Sequence, residues 1–166
     1  MNQFFSITPK GLSLSDIRNI ISNRLKLSLS SESVERINTN RRYLEDKLKN
    51  NDQAFYGINT GFGSLCDQKI SNEELKKLQI NLVISHACGV GKEIELPIVK
   101  LMLLLKINAL SFGFSGIKLQ TVEKLIFFFN NDILPVVFES GSLGASGDLA
   151  PLAHLSLPLI GEGMVY

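Results

Sequence analysis

Gly141-Ser142-Leu143-Gly144-Ala145-Ser146-Gly147-Asp148-Leu149-Ala150-Pro151-Leu152-Ala153-His154 joins a glycine-rich turn to the start of an apolar helix. Ala145-Ser146-Gly147, inside that turn, has the makings of an electrophile. Natural side chains supply nucleophiles, acids and bases, but none is a good electron sink. If the amide nitrogen of Gly147 attacks the carbonyl carbon of Ala145 with loss of water, and Ser146 loses its hydroxyl as a second water, the backbone closes into a five-membered ring with an exocyclic methylidene. Each residue type has a reason. Glycine leaves the attacking nitrogen unhindered, serine brings the hydroxyl to be eliminated, and alanine keeps the attacked carbonyl uncrowded. The plainer reading is a turn in which Ser146 or Asp148 caps the helix marked by Leu149, Leu152 and Leu155. Two other motifs are excluded: no Gly-Lys-Ser/Thr ends the stretch as a phosphate-binding loop requires, and Asp148 stands where a nucleophile elbow needs glycine.

Two further segments bear on the choice. Tyr56-Gly57-Ile58-Asn59-Thr60-Gly61-Phe62-Gly63 sets a tyrosine in a glycine-rich loop, and Gln79-Ile80-Asn81-Leu82-Val83-Ile84-Ser85-His86-Ala87-Cys88-Gly89-Val90-Gly91 ends an apolar helix on a histidine. With the stretch at 141–154, in this order, they resemble the tyrosine loop, the substrate-selecting helix and the ring-forming signature of the histidine and aromatic amino acid ammonia-lyases. The resemblance runs from about Ser13 to Tyr166. It implies a mainly α fold, the N-terminal cofactor-forming domain of the fumarase/aspartase-like helical architecture. It also implies that Ala145, Ser146 and Gly147 cyclise autocatalytically to 4-methylidene-imidazol-5-one, with no external cofactor and no metal.

Eliminating ammonia from an amino acid means removing a β-proton of low acidity while expelling a poor leaving group. An electrophile solves the second problem, by capturing the amine or by attacking the substrate ring; the sequence leaves both routes open. By resemblance Tyr56 is the base, and a phenol takes that role only in a positive field or with donors to the phenolate. By composition alone it is an ordinary loop aromatic. Gly57, Gly61 and Gly63 would let its loop close over substrate. His86 alone would read as a satisfied structural histidine, whereas the resemblance puts it against the substrate side chain. Ser85-His86 and the run Ala150–His154 look like the histidine-specific members, although some tyrosine-specific members also carry Ser-His. Leu143 is a candidate wall of the substrate pocket, Asp148 a helper in cyclisation or turn geometry, and His154 a helix-packing residue.

The expected activity is elimination of ammonia from L-histidine to give urocanate. Tyrosine or phenylalanine lyase or aminomutase activity, or a non-catalytic remnant, are the alternatives. Family subunits are much longer: their distal segments add an asparagine, tyrosines, an arginine and a glutamate to a site shared in a homotetramer. Residues 1–166 therefore read as a single N-terminal unit ending before the long-helix bundle.

Composition agrees with a soluble, cytoplasmic protein. The 166 residues are 45% hydrophobic and 20% charged, within the ordinary globular range. A net charge of +1 without long runs of one sign argues against nucleic acid or an anionic membrane as partner. Cys66 and Cys88 make no disulfide framework or metal-ligand pattern, and Met1–Ser6 lacks the basic and apolar regions of a secretory signal.

Spacing gives the elements. A strand is expected near Phe4–Ile7, then a helix capped by Ser15 carrying Ile17, Ile20, Ile21 and Leu25. A second helix follows with Val34, Ile37, Leu44 and Leu48 on one stripe that Arg41 interrupts. Ser71 to Glu74 is a capping box for a helix reaching His86, with Gly89 and Gly91 ending it. Leu96-Pro97 opens a buried helix to about Phe112, another spans about 118–130, and 135–138 is extended.

Overall fold

The computed structural model describes residues 3–49, 53–61, 70–141, 147 and 149–166; at 72 and 73 it describes the backbone alone. Strand β1 (Phe4–Ile7) leads to helix α1 (Leu14–Ser22), strand β2 (Lys26–Leu29) and helix α2 (Ser31–Lys49). Helix α3 (Asn72–His86), strand β3 (Val90–Glu93), helices α4 (Leu96–Ser111) and α5 (Leu119–Asn130), strand β4 (Phe138–Ser140) and helix α6 (Leu149–Ser156) follow. A 3-10 turn, Leu157–Ile160, comes after α6. The fold is mainly helical, as expected.

The cap of α1 is Ser13, not Ser15. The Ser13 hydroxyl accepts from the Asp16 N–H at 3.1 Å while the Asp16 carboxylate accepts from the Ser13 N–H at 2.9 Å. Only Ser13 has an acid three residues on, so only it can complete this reciprocal pair. Leu25 also lies outside α1. The chain turns through Arg24 at φ +49°, and the Leu25 N–H reaches back to the Ile20 carbonyl at 3.0 Å. The following residues then form β2, which periodicity did not announce, in parallel register with β1.

At the centre α4 packs on α5, and α2 and β2 complete the walls. Val99, Leu103, Leu104 and Ile107 are fully buried along α4 and meet Val122, Leu125 and Phe129 of α5 in one cluster that also takes in Ile7, Ile20 and Ile37. The apolar α4 is thus a core helix whose lysines lie at its margins. Lys100 stands with its ammonium 4.9 Å from the Phe129 ring centre and pairs with Asp132. Arg41 breaks the apolar stripe of α2 for a structural reason: its guanidinium donates to the Gly116 carbonyl at 3.1 Å and to Glu45 at 2.7 Å. Gly113 ends α4 at φ +73°, where an added Cβ would stand 2.7 Å from the Arg36 carbonyl carbon, so α2 and α4 approach there as only glycine allows.

Phe129 is the largest fully buried side chain. Phe129→Ala is expected to lower the unfolding free energy by about 3–5 kcal/mol, since the lost burial is compounded by a cavity the packed helices cannot close. Urea titration of the two proteins checks this.

Candidate functional site

Helix α3 carries His86 to its last turn. Ser71 starts the helix, its hydroxyl accepting from the Glu74 N–H at 3.3 Å and donating to the Glu74 carboxylate at 3.0 Å. At the other end His86 Nδ1 lies 2.8 Å from the Leu82 carbonyl, and Ser85 Oγ donates to that same oxygen at 3.0 Å. A carbonyl only accepts, so Nδ1 carries the proton and a neutral ring keeps Nε2 as an acceptor. His86 is half-buried, and its Nε2 has no hydrogen-bond partner among the described residues.

The flanks of the 142–148 stretch are bound to this helix end. β4 brings the chain to Gly141 and pairs antiparallel with β3, which begins four residues after His86. Gly141 lies so close to Gly89 that a Cβ on it would stand 2.7 Å from the Gly89 Cα and 3.2 Å from the Ala150 Cβ. The Cys88 thiol lies 3.8 Å from the Gly141 carbonyl, and this cysteine is free and exposed. From the other flank, His154 accepts the Gly89 N–H on Nε2 at 2.9 Å and sets its ring edge-on to Phe138, centres 5.2 Å apart. Gly147 is exposed and adopts φ +91°, and among the described residues nothing lies within 4 Å of where a Cβ would be. Its carbonyl accepts from the Leu149 N–H at 3.0 Å. Leu143, Ala145, Ser146 and Asp148 lie outside the described residues.

The inward face of α6 differs from the expected leucine stripe. Ala150, Ala153, His154 and Leu155 are buried, whereas Leu149 and Leu152 are 41% and 39% exposed. Small residues let α6 lie close against α3, and a leucine at 150 or 153 would hold them apart. His154 is a packing residue, as expected, and it also holds a backbone donor.

Tyr56 is carried on a separate, heavily bonded turn. Asn59 accepts the Phe55 N–H on its side-chain oxygen at 2.6 Å and donates from its amide nitrogen to the Gln53 carbonyl at 3.1 Å. Thr60 accepts the Gly57 N–H at 3.3 Å. Asn59 and Thr60 are buried while Tyr56 is 65% exposed, so the polar residues of the motif build a frame from which the tyrosine projects. Their structural role was missed in the sequence. The cue was there: an asparagine and a threonine beside glycines are the residues that close turns with their side chains.

The structure therefore joins His86's helix end to both flanks of the 142–148 stretch and sets Tyr56 on its own support. Among the described residues no group of histidines, cysteines and carboxylates is arranged to hold a metal, and no helix is long and apolar enough to cross a membrane. Two surface clefts, one beside Arg41, Arg42 and Lys118 and one beside Lys100 and Asp132, contain none of the candidate residues.

Burial holds the His154 imidazole below its ordinary titration range. Because the folded state then binds a proton less readily than the unfolded chain, the contribution to stability is complete above the unfolded value of about 6.5 and is lost as pH falls through the lower folded value. Stability should decline on acidification below about pH 6.5, and His154→Gln should remove that part of the decline. Urea midpoints for both proteins at several pH values check it.

The aromatic amino acid lyase family model matches residues 12–166. A histidine ammonia-lyase of Legionella pneumophila is 48% identical over 165 residues, 99% of this chain and 32% of that protein. The crystal structure of histidine ammonia-lyase from Trypanosoma cruzi superposes with a TM-score of 0.85 at 34% identity, covering 98% of this chain and 31% of that one. Pantoea agglomerans phenylalanine aminomutase gives 0.88 at 31% identity, covering 99% and 31%. The chain spans about a third of the length of these relatives. With that match over nearly its whole length, and a fold shared with solved members, the chain belongs to the aromatic amino acid lyase family.

Proposed function

We propose that residues 1–166 form the ring-forming unit of a histidine ammonia-lyase, acting within a protein of full family length to convert L-histidine to urocanate and ammonia. His86 carries the reading. Its Nδ1 is committed to the Leu82 carbonyl, which leaves Nε2 to accept a hydrogen bond from an imidazole N–H of the substrate. The 48% identity to the Legionella pneumophila histidine ammonia-lyase supports the same substrate.

The site would be assembled from four parts. Ala145, Ser146 and Gly147 supply the 4-methylidene-imidazol-5-one, and the open, positive-φ geometry of Gly147 fits an amide nitrogen that must reach a carbonyl two residues back. That group is an electrophile, and it makes the departure of ammonia feasible. Tyr56, exposed on its braced turn, is the base for the β-proton. His86 holds the imidazole, and Leu143 lines the pocket beside it. The groups that would clamp the substrate carboxylate come from the further length that relatives possess, in a homotetramer acting in the cytoplasm.

L-histidine given to the full-length protein should yield urocanate, followed by its ultraviolet absorption. A preference for L-tyrosine or L-phenylalanine, or β-amino acid products, would instead favour the second reading, an aromatic lyase or aminomutase, which the likeness to the Pantoea agglomerans aminomutase supports. His86→Phe should lower kcat/KM for L-histidine by about ten- to a hundredfold, the worth of one hydrogen bond to a desolvated polar group. Activity on L-phenylalanine should fall less. Equal losses on both substrates would remove His86 from substrate selection.

A further inference from the structure

We propose that His154 is a positioning residue for this site: by accepting the Gly89 N–H it clasps the helix after the ring-forming stretch to the turn after His86, and so fixes the substrate-selecting histidine relative to the electrophile. The inference rests on the proposed roles of His86 and Ala145-Ser146-Gly147. Its structural basis is independent of them. Three contacts converge on Gly89: the Nε2 of His154 at 2.9 Å from its nitrogen, the backbone of Gly141, and the Cβ of Phe138. They come from α6, from the end of β4 and from its start, so both flanks of the 142–148 stretch meet one residue, three positions beyond His86.

The contact demands a specific atom. A backbone N–H needs an acceptor, and an imidazole accepts only on an unprotonated nitrogen, so His154 serves as the neutral tautomer with its proton on Nδ1. The ring is 8% exposed, and a buried donor that loses its acceptor destabilises the arrangement. A residue that merely filled the space would need no nitrogen there. Glycine at 89 is matched to this acceptor: a Cβ would stand 2.8 Å from His154 Nε2, 3.0 Å from its Cδ2 and 3.1 Å from the Phe138 Cβ. Alanine at 89 would push the imidazole away and loosen the clasp from the opposite side.

The test uses the full-length lyase and three variants, His154→Phe, His154→Gln and Gly89→Ala. The fraction of subunits bearing the ring is counted by intact mass, two waters below the encoded value, and kcat and KM for L-histidine are expressed per ring-bearing subunit. His154→Phe is expected to lower kcat/KM per ring-bearing subunit at least tenfold with KM raised, Gly89→Ala to do the same, and His154→Gln, which keeps an acceptor, to stay within threefold of the parent. Because both single changes break one contact, the double variant should lose no more than the worse single, whereas independent sites would multiply their losses. Unchanged kcat/KM per ring-bearing subunit in His154→Phe overturns the proposal, since a role in folding alone reduces only how many subunits are active. Where His154→Phe does not accumulate, an unchanged value in Gly89→Ala overturns it equally. A parent that makes no urocanate but deaminates another aromatic amino acid refutes the histidine reading alone, and the clasp is then judged on that substrate. With no lyase activity toward any aromatic amino acid, there is no substrate site for the clasp to position, and the proposal falls together with the function on which it rests.

Discussion

Ser146→Ala in the full-length protein should lose at least about a thousandfold in turnover of L-histidine, because no other side chain offers the electron sink that the elimination needs. The loss follows from one atom. Without the Ser146 hydroxyl no second water leaves, no methylidene forms, and the amine remains a poor leaving group. Intact mass provides a readout that does not depend on activity: the parent should be two waters lighter than its encoded sequence, and the variant should lack the side-chain dehydration. An active parent of unmodified mass would refute the ring, and with it the roles given to Ala145, Ser146 and Gly147.

Long, strongly patterned elements were legible in the sequence; of the short strands β1 was expected at Phe4–Ile7, whereas β2 and β3 were not. Helix α4 could be read from Leu96-Pro97 onward because proline at the first turn and a predominantly apolar run fix its start and its burial. Strand β2 could not. Its four residues are strand only because β1, which lies before α1, pairs with them. β3 is hidden for a different reason: Val90–Glu93 is exposed throughout, so no alternation of apolar and polar residues marks it, and Gly91 with the preceding Gly89 reads as the end of a helix. The cap of α1 was misplaced because two serines compete there, and only the reciprocal bonds of Asp16 distinguish them.

The site shows the same division. Tyr56, His86 and the 141–154 signature were visible as motifs. The link between the last two was not, since the His154 to Gly89 bond joins residues 65 positions apart. Nor could periodicity place His154 inward. Leucine spacing gave α6 an apolar face at Leu149, Leu152 and Leu155, yet the close approach of α3 selects the face with alanines, and the histidine lies on it. Hydrophobicity ranks side chains by transfer energy, while contact between two helices at short distance is decided by side-chain size.

Tyr56→Phe should reduce kcat for L-histidine by about 10²–10⁴-fold, the usual worth of a positioned general base, while leaving ring content unchanged. The geometry argues that these quantities separate. Phenylalanine keeps the ring and loses only the hydroxyl, and the turn beneath it is held by Asn59 and Thr60, whose bonds to Phe55, Gln53 and Gly57 stay intact. Intact mass should therefore show the two-water loss in full. A base acts on the proton in the transition state more than on the bound ground state, so kcat should fall far more than KM rises. Substrate deuterated at the β-carbon sharpens the measurement: if Tyr56 removes that proton, the variant's residual turnover should be limited by C–H cleavage and show a larger isotope effect than the parent. Full kcat in Tyr56→Phe would remove the phenol from the chemistry and leave the exposed tyrosine as a contact residue. A variant lacking the ring would mean that the tyrosine loop supports cyclisation rather than elimination, and would move its role from the reaction to the making of the electrophile.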